Sequence, residues 1–113
     1  MAKDIPDAQE YLTQSLRIAY DLGVERDIAN NLYDFASLRV AQNKLEEGVE
    51  LISLLLQQPA SHQARAGGGR IRDRAKTLLA ELESRLSRET YQAALKRGEL
   101  LKLDDVVVKL LGR

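Results

Sequence analysis

The sequence predicts an all-α fold of about six helices, and three observations predict it. Aromatic residues are sparse, with one Phe, four Tyr and no Trp in 113 residues, while Leu and Ala dominate. That composition suits close-packed helices better than a sheet, which needs β-branched and aromatic cross-strand pairs. Apolar residues recur at the helical period along most of the chain, and the interruptions fall at residue types that start or stop helices.

Residues 7 to 22 place Ala8, Leu12, Leu16, Ala19 and Leu22 on one stripe, with Asp7 and Glu10 spaced as a capping box. Gly23 ends this helix in a left-handed cap, and Val24 supplies the apolar contact that accompanies such caps. A second helix is expected over 25 to 42. It is apolar on two sides, with Ile28, Leu32 and Phe35 on one and Ala29, Tyr33, Ala36 and Val40 on the other, which predicts a central position between neighbours. Asn43 is the next cap candidate. Residues 45 to 57 form a third helix with Leu45, Val49, Ile52, Leu55 and Leu56 inward.

The stretch QQPASHQARAGGGR, with its proline and three consecutive glycines, reads as a flexible loop over 57 to 69. From Arg70 the helical period returns through Ile71, Ala75, Leu78, Leu79, Leu82 and Leu86. Ser87 is a good N-cap, and Leu86 and Tyr91 have the spacing of a hydrophobic staple that sets the angle to the next helix. A fifth helix over about 88 to 97, stopped by Gly98, then folds Tyr91, Ala94 and Leu95 back as a lid. Residues 103 to 111 form a short last helix whose Leu103, Val106, Val107, Leu110 and Leu111 close the core. Three successive valines also suit a strand, but no second strand is available to pair with them.

Composition excludes several function classes. There is no cysteine, hence no disulfide framework and no thiolate site. His62 is the single histidine and falls in the expected loop, so no metal site is predicted. The adjacent carboxylates Glu46/Glu47 and Asp104/Asp105 diverge on a helix and read as first-turn residues favoured by the helix dipole. AGGGRIRDRAK lacks the spacing of a phosphate-binding loop and follows no strand. A non-enzymatic protein with no cofactor is expected. No signal-like segment opens the chain, and the longest apolar runs fall far short of the ~20 residues of a membrane span. A cytoplasmic protein without membrane contact is therefore expected.

Net charge is zero, yet residues 1 to 60 carry five basic and ten acidic side chains, against twelve and seven in residues 61 to 113. Such halves attract each other within the fold, pair copies head to tail, or give one face an acidic partner. Arg65, Arg70, Arg72, Arg74 and Lys76 form the densest basic cluster. They carry a second reading, a nucleic-acid-binding accessory domain acting through residues 65 to 76. No recognition-helix signature supports it, and zero net charge is atypical of such domains.

Internal repetition is also present. Leu32, Phe35, Ala36 and Arg39 have the spacing of the tetratricopeptide W-x2-L-G-x2-Y element, Gly48 and Ile52 that of its A-x3-F element, and Pro59 lies near the closing proline. Ala8, Leu12 and Ser15 recur as Gly48, Ile52 and Leu55. The expected architecture is therefore tetratricopeptide-like antiparallel helical hairpins over 7 to 60, with a C-terminal capping helix pair within 70 to 112, in one domain. Arg39 and Gly48 depart from the repeat's Tyr and Ala.

After LEEGVELISLLL and the Gly/Pro-rich loop come a Leu/Ala/Arg-rich helix and the order Tyr91-x2-Ala94-x3-Gly98-x2-Leu101-x-Leu103-Asp104-Asp105-Val106-Val107. This succession resembles the C-terminal end of the helical-repeat regions of bacterial signal-transduction ATPases and LuxR-type transcriptional regulators, where the element caps a tetratricopeptide-like array. The resemblance covers nearly the whole chain. It implies a module placed behind a nucleotide-binding domain and often a DNA-binding one, as a terminal piece or a stand-alone relative. The family has Ser or Thr where Lys102 stands, a missing cap that costs on the order of 1 kcal/mol and predicts a frayed last helix.

By comparison with tetratricopeptide grooves, Asn30, Tyr33, Ser37 and Val40 are the expected partner-binding positions, with Arg70, Arg72 and Arg74 as an accessory charged patch. The expected partner is a protein or peptide, a second copy of the chain included. Tyr11, Leu12 and Leu16 are expected to lack a partner helix, because the N-terminal repeat is unfinished.

Overall fold

The chain folds entirely into helices where it is described: the computed structural model describes residues 4–58 and 68–112, and among them there is no strand. The helices are α1 (Asp4–Leu22), α2 (Glu25–Ala41), α3 (Leu45–Gln57), α4 (Gly68–Arg85), α5 (Arg88–Leu100) and α6 (Leu103–Leu111). The valine run of α6 is helical, as its pattern predicts. Among these helices, none is long and apolar enough to cross a membrane.

Short connections set the order of packing. Gly23 sits at φ +70°, its N–H bonded to the Tyr20 carbonyl at 3.1 Å and that of Val24 to the Ala19 carbonyl at 2.9 Å, a paired ending that turns the chain back sharply. Asn43 does the same after α2. It is not the N-cap of α3 but the left-handed residue beyond α2 (φ 62°), and Lys44 bonds back to the Arg39 carbonyl at 2.8 Å. Asn tolerates this conformation because its short polar side chain bonds locally, and the same property makes it a good N-cap, so the residue type alone does not separate the roles. As a result α1 packs on α2 and α2 on α3.

Other expected boundaries also move. Helix α1 begins at Asp4, so Asp7 lies inside it and the Asp7/Glu10 pair does not cap it; Pro6 is accommodated because the first turn has no use for its missing N–H. Helix α4 begins at Gly68, two residues inside the expected loop. At its other end Gln57 is the last residue of α3 and Gln58 its C-cap, and residues 59–67, with His62 and Arg65, lie outside the described residues.

The central helix is α3 rather than α2. Every residue from Gly48 to Leu55 is buried except Glu50, which is half-buried, and α3 meets α2, α4 and α5. Its apolar residues run around the whole cylinder, the pattern of a helix enclosed by neighbours. The main core joins α1, α2, α3, the start of α4 and α6 through residues such as Leu16, Leu32, Phe35, Ile52, Leu55 and Val107. A smaller cluster of Val49, Leu82, Tyr91 and Ala94 ties α3, α4 and α5 together, with Leu86 packed beside it. Ser87 caps α5 by accepting a bond from the Thr90 N–H at 3.2 Å, and Leu86 packs against the cluster that contains Tyr91.

Gly98 does not stop α5. The helix runs on to Leu100, and Gly98 is buried where α5 presses against α3. A Cβ there would meet the Ser53 Cβ at 2.5 Å and the Glu50 carbonyl oxygen at 2.6 Å. Ser53 donates a hydrogen bond to the Leu95 carbonyl at 3.0 Å, and Gln57 Nε2 donates to the Gly98 carbonyl at 3.3 Å, so the contact is closed by polar groups as well as by shape. Beyond Leu101 the chain turns back, and α6 packs on α1, where the Tyr20 hydroxyl donates to Asp104. Leu12 and Leu16 are buried in that core, so α1's inner face does have its partner. The Cα radius of gyration, 13.4 Å, matches the ~13 Å of a single domain of this length.

Two stability effects follow. Gly98→Ala should lose about 1–2 kcal/mol in urea denaturation, since overpacking against a fixed backbone oxygen outweighs the gain in helix propensity. Lys102 already has the extended conformation of an N-cap but makes no side-chain cap bond, so Lys102→Ser should gain about 1 kcal/mol in the same measurement.

Candidate interaction surface

The four α2 positions expected to line a groove do not form one open face. Tyr33 is half-buried, and the Arg74 guanidinium of α4 lies 4.4 Å from its ring centroid. Val40 packs against the Val49, Leu82, Tyr91 and Ala94 cluster, and Ser37 lies between these two on the same stripe. Helix α4 thus occupies this part of the groove. Asn30, a turn earlier, lines a different pocket between α1 and α2.

The basic cluster is split by its own helix. Ile71 and Ala75 are the buried positions of the first half of α4, so Arg70 and Arg74 lie to one side and Arg72 and Lys76 to the other. Arg70, Arg74 and Lys76 are exposed, whereas Arg72 is half-buried and engaged. Arg74 also faces Asp34. Asp34 is exposed at the surface, yet partial burial of its carboxyl pushes it above the usual carboxylate range, with the Arg74 charge pulling the other way.

The two charged halves meet within the chain. Arg97 of α5 bonds Glu46 at 2.9 Å and reaches Glu50 at 3.1 Å, both on α3, and these bonds hold its guanidinium further above its ordinary pKa. Arg39 lies 5.9 Å from the Phe35 ring centroid and 3.7 Å from Glu47. A second cavity of about 630 Å³ lies between these residues and α6, with Leu51 and Leu110 in its wall and Lys109 and Glu47 at its edge. Among the described residues no group of three or more His, Asp or Glu comes together to hold a metal.

The surface left open is on α1. Tyr11, Ile18 and Leu22 are 71%, 60% and 72% exposed, and their i, i+7, i+11 spacing puts them on one stripe with Ser15. Leu22 therefore faces outward rather than inward: it is the last residue of α1, where the chain turns away and α2 does not cover it. Beside this stripe lies a pocket of about 370 Å³ lined by Ser15, Ile18, Leu22, Asp27, Asn30 and Asn31, with Ala19 and Val24. Ser15 donates to Asn31 Oδ1 at 3.1 Å, but Asn31 Nδ2, in a residue only 5% exposed, has no partner among the described residues. A buried N–H left without an acceptor costs on the order of 1–3 kcal/mol. Sequence reasoning passed over Ile18 and Asn31. The Tyr11-x6-Ile18-x3-Leu22 spacing was the available signal for the stripe, and none marked the amide, since burial of one polar residue on a two-sided helix depends on tertiary packing.

In comparisons with known proteins, no family model, no curated protein and no solved structure matches the chain.

The Asp34 environment gives a pH signature. Because its folded pKa lies above the unfolded one, the ionised carboxylate costs stability at neutral pH, and the cost disappears as pH falls through that pKa. Asp34→Asn should be the more stable protein in urea denaturation at neutral pH, with no advantage in acid below the carboxylate range.

Proposed function

We propose that the chain is a non-enzymatic protein-interaction module, a tetratricopeptide-like terminal piece of a bacterial signalling or transcription-regulatory system that binds its partner through the outer face of α1 and the adjoining α1–α2 pocket. The observation that carries this reading is the stripe of Tyr11, Ile18 and Leu22. Three large apolar side chains stand in water on one face of a helix whose other face is fully packed. Exposed apolar residues scattered singly need no explanation, but an aligned set beside a pocket marks a contact surface.

Support for the repeat-like architecture comes from the helix order. Consecutive helices α1, α2 and α3 are joined by two- or three-residue turns and pack in sequence, as helical hairpins do. In a helical array each unit buries one face against the unit before it. The outer face of α1 is where such a preceding unit, or a partner taking its place, would lie. Asn30 is the member of the expected groove set that belongs to this surface. The nucleic-acid reading gains nothing from the fold, because α4 divides the basic cluster and Arg74 is stacked on Tyr33.

Photo-crosslinking tests the surface directly. A photoreactive residue at Tyr11 or Leu22 should yield a discrete crosslinked protein product, whereas the same group at exposed Gln92 of α5 should not. Ile18→Arg should abolish the product while leaving the helical circular-dichroism spectrum unchanged. Equal products from positions 11, 22 and 92, or none from 11 and 22, would remove the assignment.

A further inference from the structure

The cavity bounded by α2, α3 and α6 is lined by a cation whose hydrogen bonds are incomplete. The Arg39 side chain is only 15% exposed. Its Nη1 donates to Gln42 Oε1 at 3.2 Å, but Nε lies 3.7 Å from Glu47 Oε1, too far for a hydrogen bond, and Nη2 has no acceptor among the described residues. Nε and Nη2 form one edge of the planar guanidinium, the fork that takes a carboxylate with two parallel bonds. Asn31 Nδ2 is the one unbonded side-chain nitrogen or oxygen among the described residues that is sealed from solvent, so this edge of Arg39 can be reached from the cavity.

The rest of the lining limits what the fork would take. Leu51, Val106, Leu110 and Leu111 supply an aliphatic wall, and the volume of about 630 Å³ lies within the ~300–1,000 Å³ of small-molecule sites. Lys109 borders the same cavity, is exposed, and has no acid within ion-pair distance among the described residues. Glu50 also borders it but is held by Arg97 at 3.1 Å. One negative charge on a ligand would therefore meet Arg39 and Lys109, whereas a second, as on a phosphate, would face Glu47 and Glu50. The lining favours a monoanion on an aliphatic body, and a planar carboxylate matches the fork.

We propose that this cavity binds an aliphatic monocarboxylic acid, its carboxylate on the Nε/Nη2 edge of Arg39 with Lys109 alongside, and its chain against Leu51, Val106 and Leu110. Glu47 stands beside the fork without closing on it, which makes it the ligand's competitor for Arg39. The site goes beyond the contact surface on α1. Its lining shares no residue with the α1–α2 pocket, so either assignment can fail without the other.

Octanoate is the probe, titrated into the full chain while NMR follows the methyl groups of Leu51, Val106 and Leu110. These should shift saturably, and those of Ile18 and Leu22 on α1 should not. Octanol has the same body without the charge and should bind roughly tenfold more weakly, the factor a charge-assisted hydrogen bond is worth. Acetate, with the charge and no body, should leave the methyls unshifted. Arg39→Lys keeps the charge but cannot form the fork, and should weaken octanoate by about tenfold. Lys109→Gln, at an exposed position, should weaken it as well, whereas Glu47→Gln should tighten it by removing the competitor. Circular dichroism checks that each variant is folded; if Arg39→Lys is not, the opposite signs at Lys109 and Glu47 still decide. The proposal is overturned by the absence of a saturable shift, by octanol binding as tightly as octanoate, or by Lys109→Gln and Glu47→Gln both leaving the affinity unchanged.

Discussion

Helices α3 and α5 approach so closely at Gly98 that no side chain fits between them, and the positions of the other helices follow from this contact. With a Cβ at 98 meeting both the Ser53 side chain and the Glu50 carbonyl, α5 would have to move away from α3. Tyr91 and Ala94 could then no longer close on Val49 and Leu82, and α4 would lose the wall that holds its second half. The close approach also places the end of α5 so that two residues of extended chain bring α6 back to α1. Glycine in a helix interior costs about 1 kcal/mol relative to alanine. Here that cost is offset by the burial of α3 from Gly48 to Leu55, Glu50 excepted, with Ser53 and Gln57 satisfying α5 carbonyls across the seam.

Electrostatics orients this packing more than it stabilises it. Arg97 bridges two turns of α3 through Glu46 and Glu50, but the guanidinium is solvent-exposed, and exposed pairs of this kind contribute little net stability. Their effect is on register: a slip of α5 along α3 by one turn would leave Arg97 within reach of at most one of the two carboxylates. The opposite charges of the two halves are thus partly spent inside the fold on α3 and α5. At the α1–α2 end the pocket keeps Asp27 with no cation among its described lining residues.

The sequence reveals elements well and roles less well. Helical periodicity identified all six described helices, and Ser87 with Leu86 and Tyr91 was legible because a cap and a staple are local devices. Asn43 and Gly98 were misread for one reason. Each residue type serves two purposes, and the choice between them is made by what packs alongside, which no local pattern contains. Gly98 reads as a stop when only its own helix is considered and as a contact once α3 is present. The centrality of α3 is hidden in the same way: VELISLLL suits one inward face or burial on all sides, and the two-sided pattern of α2 equally suits a central helix. For the candidate site, the groove positions on α2 were chosen by analogy with a repeat, and α4 lies over Tyr33 and Val40. Asn30 alone of that set borders the open pocket.

Helix α6 bears directly on the half-repeat that the sequence pattern leads one to expect at the N-terminus. By packing on α1 it buries the stripe of Leu12, Leu16 and Ala19 that a lone half-repeat would leave open, so the core is closed without a further unit. A chain that has closed its own core gains nothing in stability by keeping Ile18 and Leu22 in water, or by burying an amide N–H without an acceptor. Polar residues at the first two positions and an apolar one at the third would remove both costs. Yet Ile18, Leu22 and Asn31 all border one pocket between α1 and α2, and the exposed apolar stripe continues along α1 to Tyr11. Local penalties that coincide at one place are the mark of a surface shaped for contact rather than for folding. An apolar group laid on the stripe would take Ile18 and Leu22 out of water, whereas the Asn31 N–H lies beneath the surface and belongs to the packing of α1 on α2.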